Sequence, residues 1–499
     1  MHIPTTYSFT IGNFRHRRLA LALSQILAVG AMASAQAATI TADGTTCTLV
    51  DAITAANSDT ATGGCTAGSG ADVIELTAST YTLNTVNNTA NGSNGLPSIT
   101  STITLNGNGA TIGRGGGAPA FRLFRVAPSG DLTLNGVTLE NGSADDGIPA
   151  NNVIDDDGGA ILNQGGMLTV SGCVFRNNGA IRDGGAIRTG GASSSVTIAS
   201  TTFEQNFALR NGGSIDSNNS TVIIDKSRFR LNSAVNRGGA IDSGGPSSSL
   251  TVTDSDFTQN SSTGGGAIDS NSPNATVSGS TFDRNNAASG GSGDGGAIHN
   301  NVGGNLTVIN STFSANSASD QGGGIFSNAN ATNPSTLIVR NSTLFGNSAT
   351  AANGGGGIRV TGGTYSSLTL TNTIVFGSTQ QDCRNTGAAP TVLNNFIADN
   401  ISCGVSSTSD PLLGPLVENG GPTRTHSLLP GSPAINNGNN SVCPATDQRG
   451  FPRTDGSCDV GAVESAALPT FNLTQGQWHL ISPALGWRGQ PDCGQRCGR

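Results

Sequence analysis

The sequence predicts an all-β solenoid of parallel strands, and three repeating features predict it. The first is a Gly-Gly-x-Ile unit, as in RGGAIDSGG at 237–245, which occurs eight times and closes on Ile161, Ile187, Ile215, Ile241, Ile268, Ile298, Ile325 and Ile358. The steps between these isoleucines run from 26 to 33 residues. The second is an alternating apolar triplet after each unit, such as Leu168-Thr169-Val170, Val196-Thr197-Ile198 and Leu306-Thr307-Val308. The third is a Phe-x-x-Asn step, from Phe175/Asn178 through Phe313/Asn316 to the variant Leu344/Asn347. Period-2 alternation means strands, and a repeat in the high twenties with several strands per unit means a stack of coils.

Each element of the repeat has a physical task. Glycine and asparagine supply the positive-φ corners between strands. Equivalent residues of successive coils then stack at the inter-strand spacing, giving rows of Ile, Leu, Val and Phe inside and Asn ladders at the bends. Two residues before each Phe stands a small residue: Cys173, Thr201, Ser227, Ser255, Ser280, Ser311 and Ser342. Cys173 is in register with that row and is expected to be buried and unreactive. This pattern resembles the right-handed parallel β-helix repeat. The resemblance implies a solenoid over 72–380, of about eleven coils rising ~4.8 Å each, with both open ends in need of caps. A small helical cap is expected before it and an irregular one after it.

Composition agrees with a fold that packs small side chains. There are 72 glycines, and only 4% of residues are aromatic and 11% charged. Arg15-His16-Arg17-Arg18, the apolar run from Leu19 to Ala33 and the small residues Ala33-Ser34-Ala35 read as a signal peptide over 1–35. The apolar run is short for a membrane span, and no later segment approaches one. Removing those three arginines moves the formal charge from −8 to −11, which disfavours nucleic acid and anionic membranes as partners. Nine cysteines fit export. Proximity pairs Cys47 with Cys65, Cys383 with Cys403, Cys443 with Cys458 and, as a possible fourth, Cys493 with Cys497.

The two ends carry motifs. Cys47-Thr-Leu-Val-Asp-Ala-Ile53, followed by Ala55-Ala56-Asn57 and the strand Asp72–Leu76, resembles the CSLREAI motif of secreted bacterial β-helix proteins. Thr48, Val50 and Asp51 depart from it. Thr48 and Asp51 also read as an N-cap and its third-position partner opening a short helix, which places the N-terminal cap at 36–71. Asp410-Pro-Leu-Leu-Gly-Pro, Asn419-Gly-Gly-Pro-Thr, Gly431-Ser-Pro-Ala-Ile435, Asp447-Gln-Arg-Gly450 and Asp459-Val-Gly-Ala-Val-Glu464 follow in order. Together they resemble the choice-of-anchor Q domain, with Asn436 where that family usually has Asp, and place the C-terminal cap at 381–465. The resemblances imply an exported bacterial protein of surface or extracellular type and are silent on any reaction. Residues 466–499, which hold Trp478 and Trp487, fit neither family and have no assigned role. The chain carries no long C-terminal barrel pattern of the kind that would export it across an outer membrane.

Chemistry has one candidate location. The residue after each repeat Ile should face away from the core; down the stack it is Leu162, Arg188, Asp216, Asp242, Asp269, His299, Phe326 and Arg359. Three successive aspartates invite either a solvated face balanced by the flanking charges or a site. Asp216, Asp242 and Asp269 are accordingly the candidate metal ligands, with calcium the implied ion, or else carboxylates for cutting a polysaccharide. Asp155-Asp156-Asp157 is a second acidic run that could hold a cation. No catalytic residue and no other cofactor is indicated. The expected function is an exported or cell-surface protein that presents a rigid surface for adhesion or glycan binding without catalysis. Its partner would be a polysaccharide or a cell-surface glycan. The alternatives are a polysaccharide lyase or hydrolase working on the aspartate face, with Arg188 and Arg237 nearby, and a structural envelope or matrix component.

Overall fold

In the computed structural model, residues 37–145, 154–191, 193–288, 293–397, 400–404, 407–453 and 456–465 are described. The signal-peptide assignment and the 466–499 tail, with Cys493 and Cys497, lie outside them. The described chain is a parallel β-solenoid of about eleven coils, built from parallel sheets of 13, 12, 11 and 8 strands. One coil contributes a strand to each sheet in turn: Ile161–Gln164, Met167–Ser171, Val174–Arg176 and the two-residue Gly179–Ala180. The next coil repeats the cycle in register, Ile161 on Ile187, Leu168 on Val196 and Phe175 on Phe203.

The repeated Gly-Gly is forced by a close approach. Gly238 takes φ +61°, and a Cβ there would run into the carbonyl of Ile241, while one on Gly239 would run into the carbonyl of Gly266 in the next coil. No side chain fits either position, so every coil spells the same pair. The apolar rows fill the interior. Phe175, Phe203, Phe229, Phe257, Phe282 and Phe313 are fully buried and stack with ring centroids 4.7–4.8 Å apart.

Polar rows line the corners, each member satisfied by the next coil. Asn206 Nδ2 donates to Asn232 Oδ1 at 3.0 Å, Asn232 to Asn260 at 3.0 Å and Asn260 to Asn285 at 2.9 Å. In the hydroxyl row, Thr201 Oγ1 donates to the Ala199 carbonyl at 2.8 Å, and Cys173 Sγ makes the equivalent bond to Ser171 at 3.3 Å. Cys173 is free and buried, and burial pushes its thiol pKa up.

The single α-helix among the described residues, Leu49–Ser58, lies on the first coil with Leu49, Ala52, Ile53, Ala55 and Ala56 buried. Thr48 caps it as its spacing implied: Oγ1 accepts from Asp51 N at 3.1 Å and donates to Asp51 Oδ2 at 2.6 Å. The disulfides are Cys47–Cys65, Cys383–Cys403 and Cys443–Cys458.

The segment after the last coil does more than cover an end. It runs back along the outer face of the 12-stranded sheet, and contacts there span up to 168 residues of sequence. Arg424 pairs with Asp256 and Asp283, at 3.1 and 3.0 Å. Gln448 meets Thr312 and Thr281, His426 Nε2 meets Ser314, and Thr423 Oγ1 donates to the Gly279 carbonyl. The strand residues beneath it, Thr281, Asp283, Thr312 and Thr343, are buried, whereas Arg228 and Arg230 of earlier coils are exposed. Its motif residues staple its own loops. Asp447 accepts from the backbone N–H groups of Arg449, Phe451 and Glu464, and Glu464 pairs with Arg453. No described helix is long and apolar enough to cross a membrane.

Candidate functional site

The column that follows the repeat isoleucines forms as its spacing implied: Leu162, Arg188, Asp216, Asp242, Asp269, His299, Phe326 and Arg359 stack in register on the 11-stranded sheet. It points away from the isoleucine core, yet it is not the solvated face that reading would make it. Asp216, Asp242 and Asp269 are only 4%, 5% and 1% exposed. The corner segments ahead of each Gly-Gly pair stack as a further column beside them, Asp183, Asn211, Arg237, Gly264 and Asp294, through single parallel bridges. That second column encloses the first.

Burial makes charge compensation obligatory. Arg188 reaches Asp216 at 2.7 Å and Asp157 at 3.4 Å, and Arg237 reaches Asp242 at 3.5 Å. His299 Nδ1 lies 2.7 Å from Asp269 Oδ2, and Asn301 donates to the other oxygen of Asp269 at 3.3 Å. Two ionised carboxylates one coil apart would repel by about 3–4 kcal/mol at an effective dielectric near 20. Burial and that mutual repulsion favour the uncharged form of one of the two. Burial, and then the charge of Asp216, push the Asp242 carboxyl well above the usual carboxylate range against the pull of Arg237. Burial raises Asp216 too, with Arg188 opposing. Burial works against a His299 cation, but Asp269 outweighs it and the imidazole pKa is raised.

Of the acidic run 155–157, Asp157 joins this network. Its side chain is fully buried, Arg182 and Arg188 lie 3.6 and 3.4 Å away, and burial lifts its pKa to about 7. Asp155 instead offers its carbonyl to Arg122. The aspartate ladder is thus assembled, but its oxygens face arginine, histidine and one another. Calcium asks for six to eight oxygen ligands. Among the described residues, no group of three or more His, Cys, Asp or Glu is arranged to hold a metal ion.

Two cavities open on this face. One of about 550 Å³ is bounded by Pro128, Gln164, Ser193, Asn219 and the glycines between them. A smaller one of about 130 Å³ has Asp216 and Asp242 at its floor. Arg188 and Asn218 line both, so the two adjoin. Sequence reasoning missed Arg182, Asp183 and Arg210, which line the smaller cavity. For Asp183 the signal was available, since the column four residues before each repeat Ile reads Asp183, Asn211, Arg237, Gly264 and Asp294; Arg182 and Arg210 stand one position earlier, five residues before Ile187 and Ile215.

A family model described as the right handed beta helix region matches residues 125–282, the coils that carry this site. The solenoid is therefore a right-handed parallel β-helix. No curated protein matches the chain.

Proposed function

We propose that this protein binds glycans without catalysis, as an adhesin-like protein of an extracellular surface, and that it lays the sugar chain across the outer face of the 11-stranded sheet. The observation that carries this reading is a pair of adjoining cavities, a larger one with a mostly apolar lining edged by amide, hydroxyl and guanidinium groups and a smaller polar one, on strands that neighbouring coils hold rigid. Such groups suit sugar hydroxyls, and a surface already ordered loses little entropy on binding. The three disulfides fit an oxidising compartment.

One observation favours a second reading, a glycan hydrolase or lyase. Asp216 and Asp242 are adjacent buried carboxyls whose pKa values burial raises, and acid-base cleavage uses one protonated and one ionised carboxyl. Against it, both lie at the bottom of a cavity with room for about four water molecules, less than a pyranose ring with its hydroxyls needs.

The test is a polysaccharide panel on the protein, with calcium or with a chelator, scored for retained polymer and for new reducing ends. Retention without new ends is the expected result. New ends that disappear in Asp242→Asn would replace this reading with the enzyme, and a need for calcium would restore the aspartates as ligands. Neither retention nor new ends would remove both.

A further inference from the structure

We infer that the smaller cavity is a subsite for an anionic substituent, a carboxylate or a sulfate ester, on a sugar seated in the larger cavity beside it. The inference rests on the glycan-binding reading and names its ligand class. The cavity walls bring Arg182, Arg188, Arg210 and Arg237 against Asp183, Asp216 and Asp242. Even with Asp157, which pairs with Arg182 and Arg188, the carboxyls number only four. Four guanidiniums thus meet four carboxyls, and burial raises the pKa values of Asp157, Asp216 and Asp242, which favours their uncharged forms.

The guanidinium placed to meet a ligand is Arg237. Its side chain is 43% exposed, and its contacts to Asp242 Oδ2 and Asn211 Oδ1 are both long, at 3.5 Å. Arg188, by contrast, is held at 2.7 Å by Asp216 and at 2.6 Å by the Thr189 carbonyl. A loosely tethered planar fork can turn to grip two oxygens of a carboxylate or sulfate. Beneath it, burial and the charge of Asp216 raise the pKa of the Asp242 carboxyl, which lessens its repulsion of an anion. Volume points the same way. About 130 Å³ admits a charged substituent and not a ring, while about 550 Å³ next door admits the ring. Because Arg188 and Asn218 border both spaces, a substituent on that ring reaches the arginines without leaving the groove.

The experiment measures affinity of the full protein for polygalacturonate, dextran sulfate and unmodified dextran at constant salt. Arg237→Gln and Ser193→Tyr are compared with wild type, and thermal unfolding verifies that each is folded. At least one anionic polymer should bind tenfold or more tightly than dextran. The carboxylate and sulfate arms identify which group is preferred. Arg237→Gln should remove most of that preference, weakening the anionic polymers far more than dextran. Ser193→Tyr, which obstructs the larger cavity, should weaken all bound polymers. Equal binding of dextran and both anionic polymers, unaffected by Arg237→Gln, overturns the anion subsite and leaves glycan binding standing. Absence of binding to all three overturns both.

Discussion

Cys173 occupies a place that serine or threonine holds in the coils from Thr201 to Ser342, and its thiol makes the same bond to the carbonyl two residues back. Its backbone N–H is in turn 3.4 Å from Thr201 Oγ1. A hydroxyl is a better donor than a thiol and slightly smaller, so the two effects oppose each other. Cys173→Ser is expected to change unfolding free energy by less than about 1 kcal/mol. The wild-type thiol, buried and with a raised pKa, should resist a thiol reagent until the protein is unfolded. Rapid labelling of the native protein would contradict the placement of this side chain. The same residue-scale logic governs Gly238 and Gly239. Their identity is dictated by backbone approaching backbone, which is why a reading of the repeat could find the pair before any contact was known.

At the scale of elements, the ladders are what couple one coil to the next. Asn260 illustrates the energetics. Its amide donates to the Phe229 carbonyl and to Asn285 Oδ1, at 2.9 Å each, while its carbonyl oxygen receives Asn232 Nδ2 at 3.0 Å. Asn260→Ala leaves the Phe229 carbonyl and the Asn232 amide buried without that partner, so a loss of about 1–3 kcal/mol is expected in denaturant unfolding. Phe257→Ala, which opens a gap in the ring stack between Phe229 and Phe282, should cost more, about 3–5 kcal/mol. If the asparagine variant proved the more damaging, the interior rather than the ladder would be the weaker link. The returning C-terminal segment is a different kind of element. Its hold on the solenoid is mostly polar, through Arg424, Gln448 and His426, with a small apolar patch around Ile374, Phe396, Ala434 and Val460.

For the whole molecule, the enclosed acidic column makes stability depend on pH in an unusual direction. Asp157, Asp216 and Asp242 all have native pKa values above the ordinary carboxylate value. The native state therefore binds those protons more tightly than the unfolded chain. Their contribution is complete below about 3.8 and is lost as pH rises through the native values, which for Asp157 means up to about 7. The raised His299 acts in the same sense from about 6.5 upward. The melting temperature should thus decline between pH 4 and pH 8, and Asp242→Asn, which no longer titrates there, should flatten the slope. An equal slope in wild type and variant would mean that Asp242 is not the protonated member of the pair.

Local periodicity carries much of this architecture, because a solenoid repeats one coil and each coil advertises its corners and its apolar positions in the chain. The Gly-Gly-Ile entry, the Phe and Asn rows, the place of Cys173, the Thr48 cap and the three near-neighbour disulfides all follow from such local patterns. The register of the aspartate column follows as well. Its environment does not. Whether a residue that points away from one core meets water or a second layer depends on where the next corner folds, and only the stacked corners bring Asp183, Arg210 and Arg237 over Asp216 and Asp242. The return of Arg424 and Gln448 to coils up to 168 residues earlier is likewise decided in three dimensions. Those contacts join positions with no shared period, and an irregular segment records in its own sequence nothing of the surface it will cover.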